Sequence, residues 1–134
     1  MRRIGEMSGV VVIPSSLSYE AAVVRLIAAI EERGLAVLAR VDHAAGARAA
    51  GLELASEEVV FFGNPTAGTP LMQSDPRVGI ELPLRMLVWQ DQDGTRFAYR
   101  DPRKFSEVYD LAGHEETLDR MNQQLSDLAA AAAG

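Results

Sequence analysis

The chain has 134 residues, the usual length of one domain, and its lack of cysteine excludes disulfides, thiolate nucleophiles, thiolate zinc and iron–sulfur sites. Hydrophobic residues make up 48% and charged residues 24%, an ordinary globular composition that can build a core without a metal or a disulfide. The net charge is -6, and the basic residues, all arginine except Lys104, are scattered, so neither a nucleic acid nor an anionic membrane is the expected partner.

Arg2 and Arg3 precede an apolar run from Val10 to Ile13, which Pro14 ends. That run is well short of the roughly 7–15 apolar residues of a secretory leader. No stretch approaches the roughly 18 apolar residues that span a bilayer. The expectation is a cytoplasmic single domain over residues 1–134.

Gly9 to Ile13 is short and β-branched and reads as a strand. Ser18 is placed to cap a helix with Glu20 in its first turn. Val23, Leu26, Ile27 and Ile30 recur at helical spacing, and Gly34 sits where a left-handed residue ends a helix. Leu35 to Val41 reads as a second strand with Leu35, Val37, Ala39 and Val41 on one face. Asp42 ends it and can cap a short helix, Ala44 to Ala50, that Gly51 stops.

Val59 to Phe62 is a third strand, bounded by Gly63-Asn64-Pro65. Thr69-Pro70 matches a helix start, with threonine as cap and proline at the first position. Pro76 keeps that helix short. Leu84 to Gln90 and Arg96 to Arg100 are strands joined through Asp91-Gln92-Asp93-Gly94, the clearest hairpin signal in the chain. Asp101-Pro102 repeats the cap-and-proline device and opens a helix through Phe105, Val108 and Tyr109. Glu115 to about Ala132 is a final helix with the stripe Leu118, Met121, Leu125 and Leu128, and its alanine-rich last turn is expected to fray. This order, a strand, a helix, mostly antiparallel strands and then helices, indicates an α+β fold.

Two segments stand out chemically. From Phe61 to Met72 a strand runs into a Gly-rich loop and a capped helix, and a helix N-terminus suits an anion. The segment lacks a P-loop lysine and any GxGxxG spacing, so a tight turn capped by Thr69 is the plainer account. The other is Asp42-His43. An imidazole at a strand end can serve as a general base, a metal ligand or a donor to a ligand, or it can be a hydrogen-bonded polar terminus. His114 lies far off in a Gly-His-Glu-Glu loop, and two distant histidines fall short of the three protein ligands usual for catalytic zinc, so no metal site is expected. Trp89, mid-strand, is expected in the core.

Several segments together resemble domain-of-unknown-function family 302. They are Arg40 to Ala47, Gly51-Leu52-Glu53-Leu54, Phe62-Gly63-Asn64-Pro65, Gly68-Thr69-Pro70-Leu71-Met72 and Gly79 to Leu84, with Leu87-Val88-Trp89, the Asp-Gly turn and Asp101-Pro102 fitting as well. The resemblance spans about Gly9 to His114. It implies a TATA-box-binding-protein-like α+β fold: strand, helix, four antiparallel strands, helix. It implies small stand-alone bacterial proteins and no catalytic residue, since no activity is established for the family. His43, Asn64, Gly68, Thr69 and Met72 match its motifs and are the candidate ligand-binding residues.

The leading functional expectation is a non-enzymatic domain that binds or senses a small molecule or an anion, as a homodimer. The dimer is suggested by apolar residues on both faces of one strand: Leu84, Met86 and Val88 against Leu87 and Trp89. A hydrolase or isomerase using His43 with a nearby carboxylate is the second reading, and a protein-interaction module without a pocket is the third. The sequence specifies no cofactor. A shared site for His43 and the Asn64–Met72 loop requires the relevant strand ends to coincide.

Overall fold

A computed structural model describes residues 9–134; Arg2 and Arg3, weighed above as a leader, lie outside them. In chain order the elements are β1 (Val10–Ser15), α1 (Tyr19–Glu32), β2 (Ala36–Asp42), α2 (His43–Ala49), β3 (Glu57–Gly63), α3 (Pro65–Ser74), a first 3-10 helix (Pro76–Glu81), β4 (Leu84–Asp91), β5 (Gly94–Arg100), a second 3-10 helix (Pro102–Glu107) and α4 (Glu115–Ala132).

The strands form one sheet in the order β1-β5-β4-β3-β2, with every neighbouring pair antiparallel. β1 and β2 are therefore parallel at opposite edges, and α1 must cross the whole sheet to join them. The local signals explain α1. Ser18 Oγ accepts from Ala21 N at 3.2 Å, and Gly34 takes φ +73 beyond the last turn. Asp42 likewise caps α2, accepting from Ala45 N at 2.8 Å.

The pairing registers divide the sheet into two faces. Val60, Phe62, Leu84, Met86, Val88, Phe97 and Tyr99 point to one side, where they form the core with Leu26 and Ile30 of α1 and the stripe Leu118, Met121, Leu125 and Leu128 of α4. Leu125 and Leu128 are almost wholly removed from water, and burial of this kind contributes roughly 1.5–3 kcal/mol per side chain. The last turn of α4 does not fray. Ala129 and Ala132 are buried, and the Ala133 carbonyl accepts from Ser16 N and Ser15 Oγ, both at 3.0 Å.

Among the described residues, the long helices α1 and α4 pack on that first face rather than on the other. Across it runs one apolar residue from every strand, Val12, Ala98, Leu87, Val59 and Val41, set side by side by the registers. Trp89 lies on this same face, opposite Glu57 and Arg96 and half-buried, so its expected place in the core is corrected. The hairpin closes on the pair Asp91 and Gly94. Gly94 carries the positive φ, +125, and Asp91 Oδ1 accepts from Asp93 N at 2.8 Å.

β2 departs from simple alternation. Its register shifts between Val37 and Ala39, a β-bulge that leaves Leu38 as the extra residue. Val37 then faces the core, whereas Ala39 and Val41 face the open side, so the four residues expected on one face are split between two.

Candidate functional site

β3 ends at Gly63 and β4 begins at Leu84 opposite Phe62. Between them the chain makes α3, the first 3-10 helix and the Leu82–Pro83 step. This excursion stands off the sheet and encloses a cavity of about 440 Å³. Its polar groups come from Asn64, Thr69 and Gln124, and much of its wall comes from Leu35, Leu38, Met72, Leu82, Pro83 and Met121. None of the lining side chains is ionisable.

Close packing sets the walls. A Cβ built on Gly68 would stand 3.4 Å from Leu82 Cδ1, and one on Gly79 would stand 3.3 Å from Met72 Sδ. These glycines let α3 and the 3-10 helix approach each other. Below the wall Asp75 is a buried anchor. Its carboxylate accepts from Arg77 N at 3.0 Å, Arg77 Nη2 at 2.8 Å and Asp110 N at 2.9 Å. The Arg77 guanidinium, with help from the Asp110 N–H, holds the Asp75 carboxyl far below the usual carboxylate range.

Asn64, Gly68, Thr69 and Met72, four of the five candidate ligand-binding residues, line this cavity. The local reading of the helix start, however, is corrected. Asn64, not Thr69, is the N-cap: Asn64 Oδ1 accepts from Thr66 N at 2.9 Å, and Pro65 takes the first helical position. Asn64-Pro65 is the same cap-and-proline device five residues upstream of Thr69-Pro70. Pro70 lies inside α3, where it withholds the N–H that would have reached the Thr66 carbonyl. The early amides of α3 are also occupied, since Ala67 N and Gly68 N bond the Asn64 carbonyl at 3.1 and 3.4 Å. An anion at this helix end would have few free donors.

His43 does not join the site. It is exposed at the first position of α2, just after Asp42, and Asp42 pairs with Glu58 at the start of β3. Asn64 follows the far end of β3, about 20 Å away at strand rise. The imidazole and the α3 loop lie at opposite ends of the sheet, because an antiparallel neighbour puts one strand's end beside the other's beginning.

Near His43 the polar groups satisfy one another. Arg40 donates to both carboxylate oxygens of buried Glu58, through Nε to Oε2 and through Nη2 to Oε1 at 3.2 Å. Burial, reinforced by the Glu58 and Asp42 carboxylates, pushes the Tyr19 hydroxyl up to about 12. His114 precedes α4 without a side-chain cap bond, and no group of three or more His, Asp or Glu side chains among the described residues could hold a metal ion.

Sequence reasoning missed Leu38, Gln124 and Met121 as cavity residues. The signal for Leu38 was an apolar residue out of phase in an alternating strand. The α4 residues carried no local signal, because only tertiary packing brings that helix to the cavity.

The profile of a family described as "Domain of unknown function DUF302" matches residues 11–132. Among curated proteins, "Fluoride-specific ion channel FluC 1" of Brucella suis biovar 1 is 44% identical over 87 residues, which are 65% of this chain and 34% of that protein. "Fluoride-specific ion channel FluC 1" of Brucella abortus biovar 1 is likewise 44% identical over 87 residues, 65% of this chain and 32% of that protein. The chain thus spans about a third of the length of the curated relatives it matches. Among the described residues, no helix is long and apolar enough to cross a membrane. The crystal structure of an uncharacterized conserved DUF302 protein from Bacillus stearothermophilus superposes with a TM-score of 0.83 at 16% identity, covering 94% of this chain and 98% of that one, and so shares the fold. With an α+β architecture on a five-stranded antiparallel sheet and a family match over nearly its whole length, the chain belongs to the DUF302 family, whose function is unknown.

Proposed function

We propose that this DUF302 chain is a small-ligand-binding or sensing module that takes an uncharged, largely apolar molecule in the cavity behind α3. The observation that carries this reading is the cavity itself. Its volume of about 440 Å³ lies in the range of small-molecule sites, and it combines an apolar wall with the few polar groups of Asn64, Thr69 and Gln124. Leu38 and Met72, 56% and 38% exposed, are apolar side chains that a ligand would cover. With no ionisable side chain in the lining, proton-transfer chemistry has no acid or base there, which weighs against the hydrolase or isomerase reading. The same lining disfavours a bare inorganic anion, fluoride included. The kinship with part of two fluoride-channel proteins favours a sensing role beside another activity over a pore-forming one.

The test is uptake of Nile red, a neutral dye whose emission rises in apolar surroundings. Saturable uptake by the wild-type chain is expected. Gly68→Leu, whose side chain must extend past Leu82 into the cavity, is expected to abolish it, while Gly68→Ala keeps the fold and weakens uptake less. Absence of saturable uptake, or full uptake by a folded Gly68→Leu, refutes the reading.

The proposal includes a homodimer, for which the apolar row across the open sheet face is the specific support. Val12 and Val41 at its ends are 48% and 43% exposed, and a second copy would cover them. Leu87→Arg, in the middle of that row, is expected to halve the mass seen by light scattering; a wild-type monomer at micromolar concentration would contradict this.

A further inference from the structure

The two central strands do not stay together. β4 pairs with β3 as far as Leu84, and β5 pairs with β1 as far as Arg100, but the ladder between β4 and β5 stops at Leu87 and Ala98. Beyond that point the strands part, and a cavity of about 210 Å³ lies in the gap. It reaches both layers of the molecule. Leu87, Ala98 and Val59 line it from the open face, and Tyr99, Phe105 and Leu125 from the core side.

Charge in this wedge is unbalanced. Its charged lining side chains are Arg85, Arg100 and Glu81. Glu81 is already engaged: its Oε2 accepts from Tyr109 Oη at 2.8 Å, and its Oε1 lies 3.7 Å from Arg100 Nε. Arg85 donates to the Pro83 carbonyl at 3.1 Å and lies over the Phe61 ring at 4.8 Å. Among the described residues no carboxylate lies within ion-pair distance of Arg85. Arg85 is half-buried against an apolar wall, and with one donor spent on the Pro83 carbonyl its planar fork keeps donors that suit a carboxylate.

We propose that the wedge between β4 and β5 is a second binding site, for a small monocarboxylate with an apolar body. The carboxylate pairs with Arg85, with Arg100 at its margin, and the apolar body lies on Leu87, Ala98 and Val59. This site shares no ionic group with the cavity behind α3 and does not depend on what that cavity takes. In a dimer that covers the apolar row, the wedge lies beneath the interface and the second copy encloses the ligand.

Trp89, the only tryptophan, sits two residues from Leu87 on the same face and reports on the site by its fluorescence. Titration with octanoate is expected to give a saturable change, and octanol, equal in length but uncharged, to bind at least about tenfold more weakly. Arg85→Met keeps the apolar stem and is expected to weaken octanoate by about tenfold or more while leaving octanol unchanged. Arg100→Gln, removing a group already shared with Glu81, is expected to cost about two- to fivefold. The proposal is overturned by equal binding of octanoate and octanol to the wild type, by no saturable response at millimolar octanoate, or by an Arg85→Met protein that binds octanoate normally. It is also overturned if Arg85→Met loses the response together with a change in mass by light scattering, because Arg85 would then serve the contact between copies.

Discussion

The two ends of β3 carry opposite kinds of structure. Where the strand begins, Arg40 pairs with buried Glu58, Asp42 caps α2, and the Tyr19 hydroxyl lies in the field of both carboxylates. Where it ends, the chain turns away from the sheet, and the space behind α3 is walled by side chains that cannot titrate. The first end looks like chemistry in the sequence, with a carboxylate next to an imidazole, yet it fastens the edge of the sheet. The second reads as turns and caps, yet it holds room for a molecule. Clustered charge is more often self-satisfied than reactive, and a site shows itself by what its walls leave unfilled.

The largest expected effect comes from breaking the charged end. Arg40→Leu leaves the buried Glu58 carboxylate without its guanidinium, which is expected to cost about 2–3 kcal/mol in urea melts. The figure is toward the low side for a broken pair because Arg40 is itself half in water. Adding Glu58→Leu is expected to restore most of the loss, with Nile red uptake unchanged throughout. If uptake collapses while the fold survives, the two ends are not independent.

Acid sharpens the comparison from the other end. Asp75 braces the cavity wall, and its carboxyl is held far below the usual range by Arg77 and the Asp110 N–H. A group with a depressed folded-state value contributes stability that is fully present above its unfolded value, near 3.9, and is lost as pH falls through the folded value. Stability from this group is therefore expected to be flat between pH 7 and about 5 and to fall below about 4. Asp75→Asn is expected to flatten that acid limb in thermal melts; an unchanged limb would place the acid sensitivity elsewhere.

Smaller effects separate cap from cavity. Asn64→Ala is expected to cost about 1 kcal/mol through the lost bond to Thr66 N, whereas Thr69→Ala is expected to change denaturation midpoints little. Equal losses would return the cap to Thr69. His43→Ala, at an exposed position, is expected to stay within about 0.5 kcal/mol of wild type and to leave uptake untouched.

Much of the fold was legible because its signals are local. Ser18 and Asp42 cap the helices they were read to cap, Asp101 caps a shorter 3-10 helix that ends at Glu107 rather than running through Tyr109, and the α4 stripe is buried as its spacing required. The helix after β3 was misplaced because two adjacent Xaa-Pro steps offer equivalent starts, and only the upstream one lets the chain leave the sheet directly after Gly63. Trp89 was misassigned because strand periodicity gives two faces without saying which one the helices cover. The candidate site was half legible. Asn64, Gly68, Thr69 and Met72 are close in sequence, and one helix with its cap brings them together, whereas the exclusion of His43 depends on strand direction, a property of the whole sheet.

Pro14 and the bulge at Leu38 sit on the two outermost strands. A proline offers no N–H to an incoming strand, and a bulge breaks the even spacing that such a strand would need. Both rims of the sheet are thus blunted against growth by strand addition, the route by which flat β-structures run into fibres. Further copies of the chain are steered away from its rims, so self-association through the sheet has to come face to face.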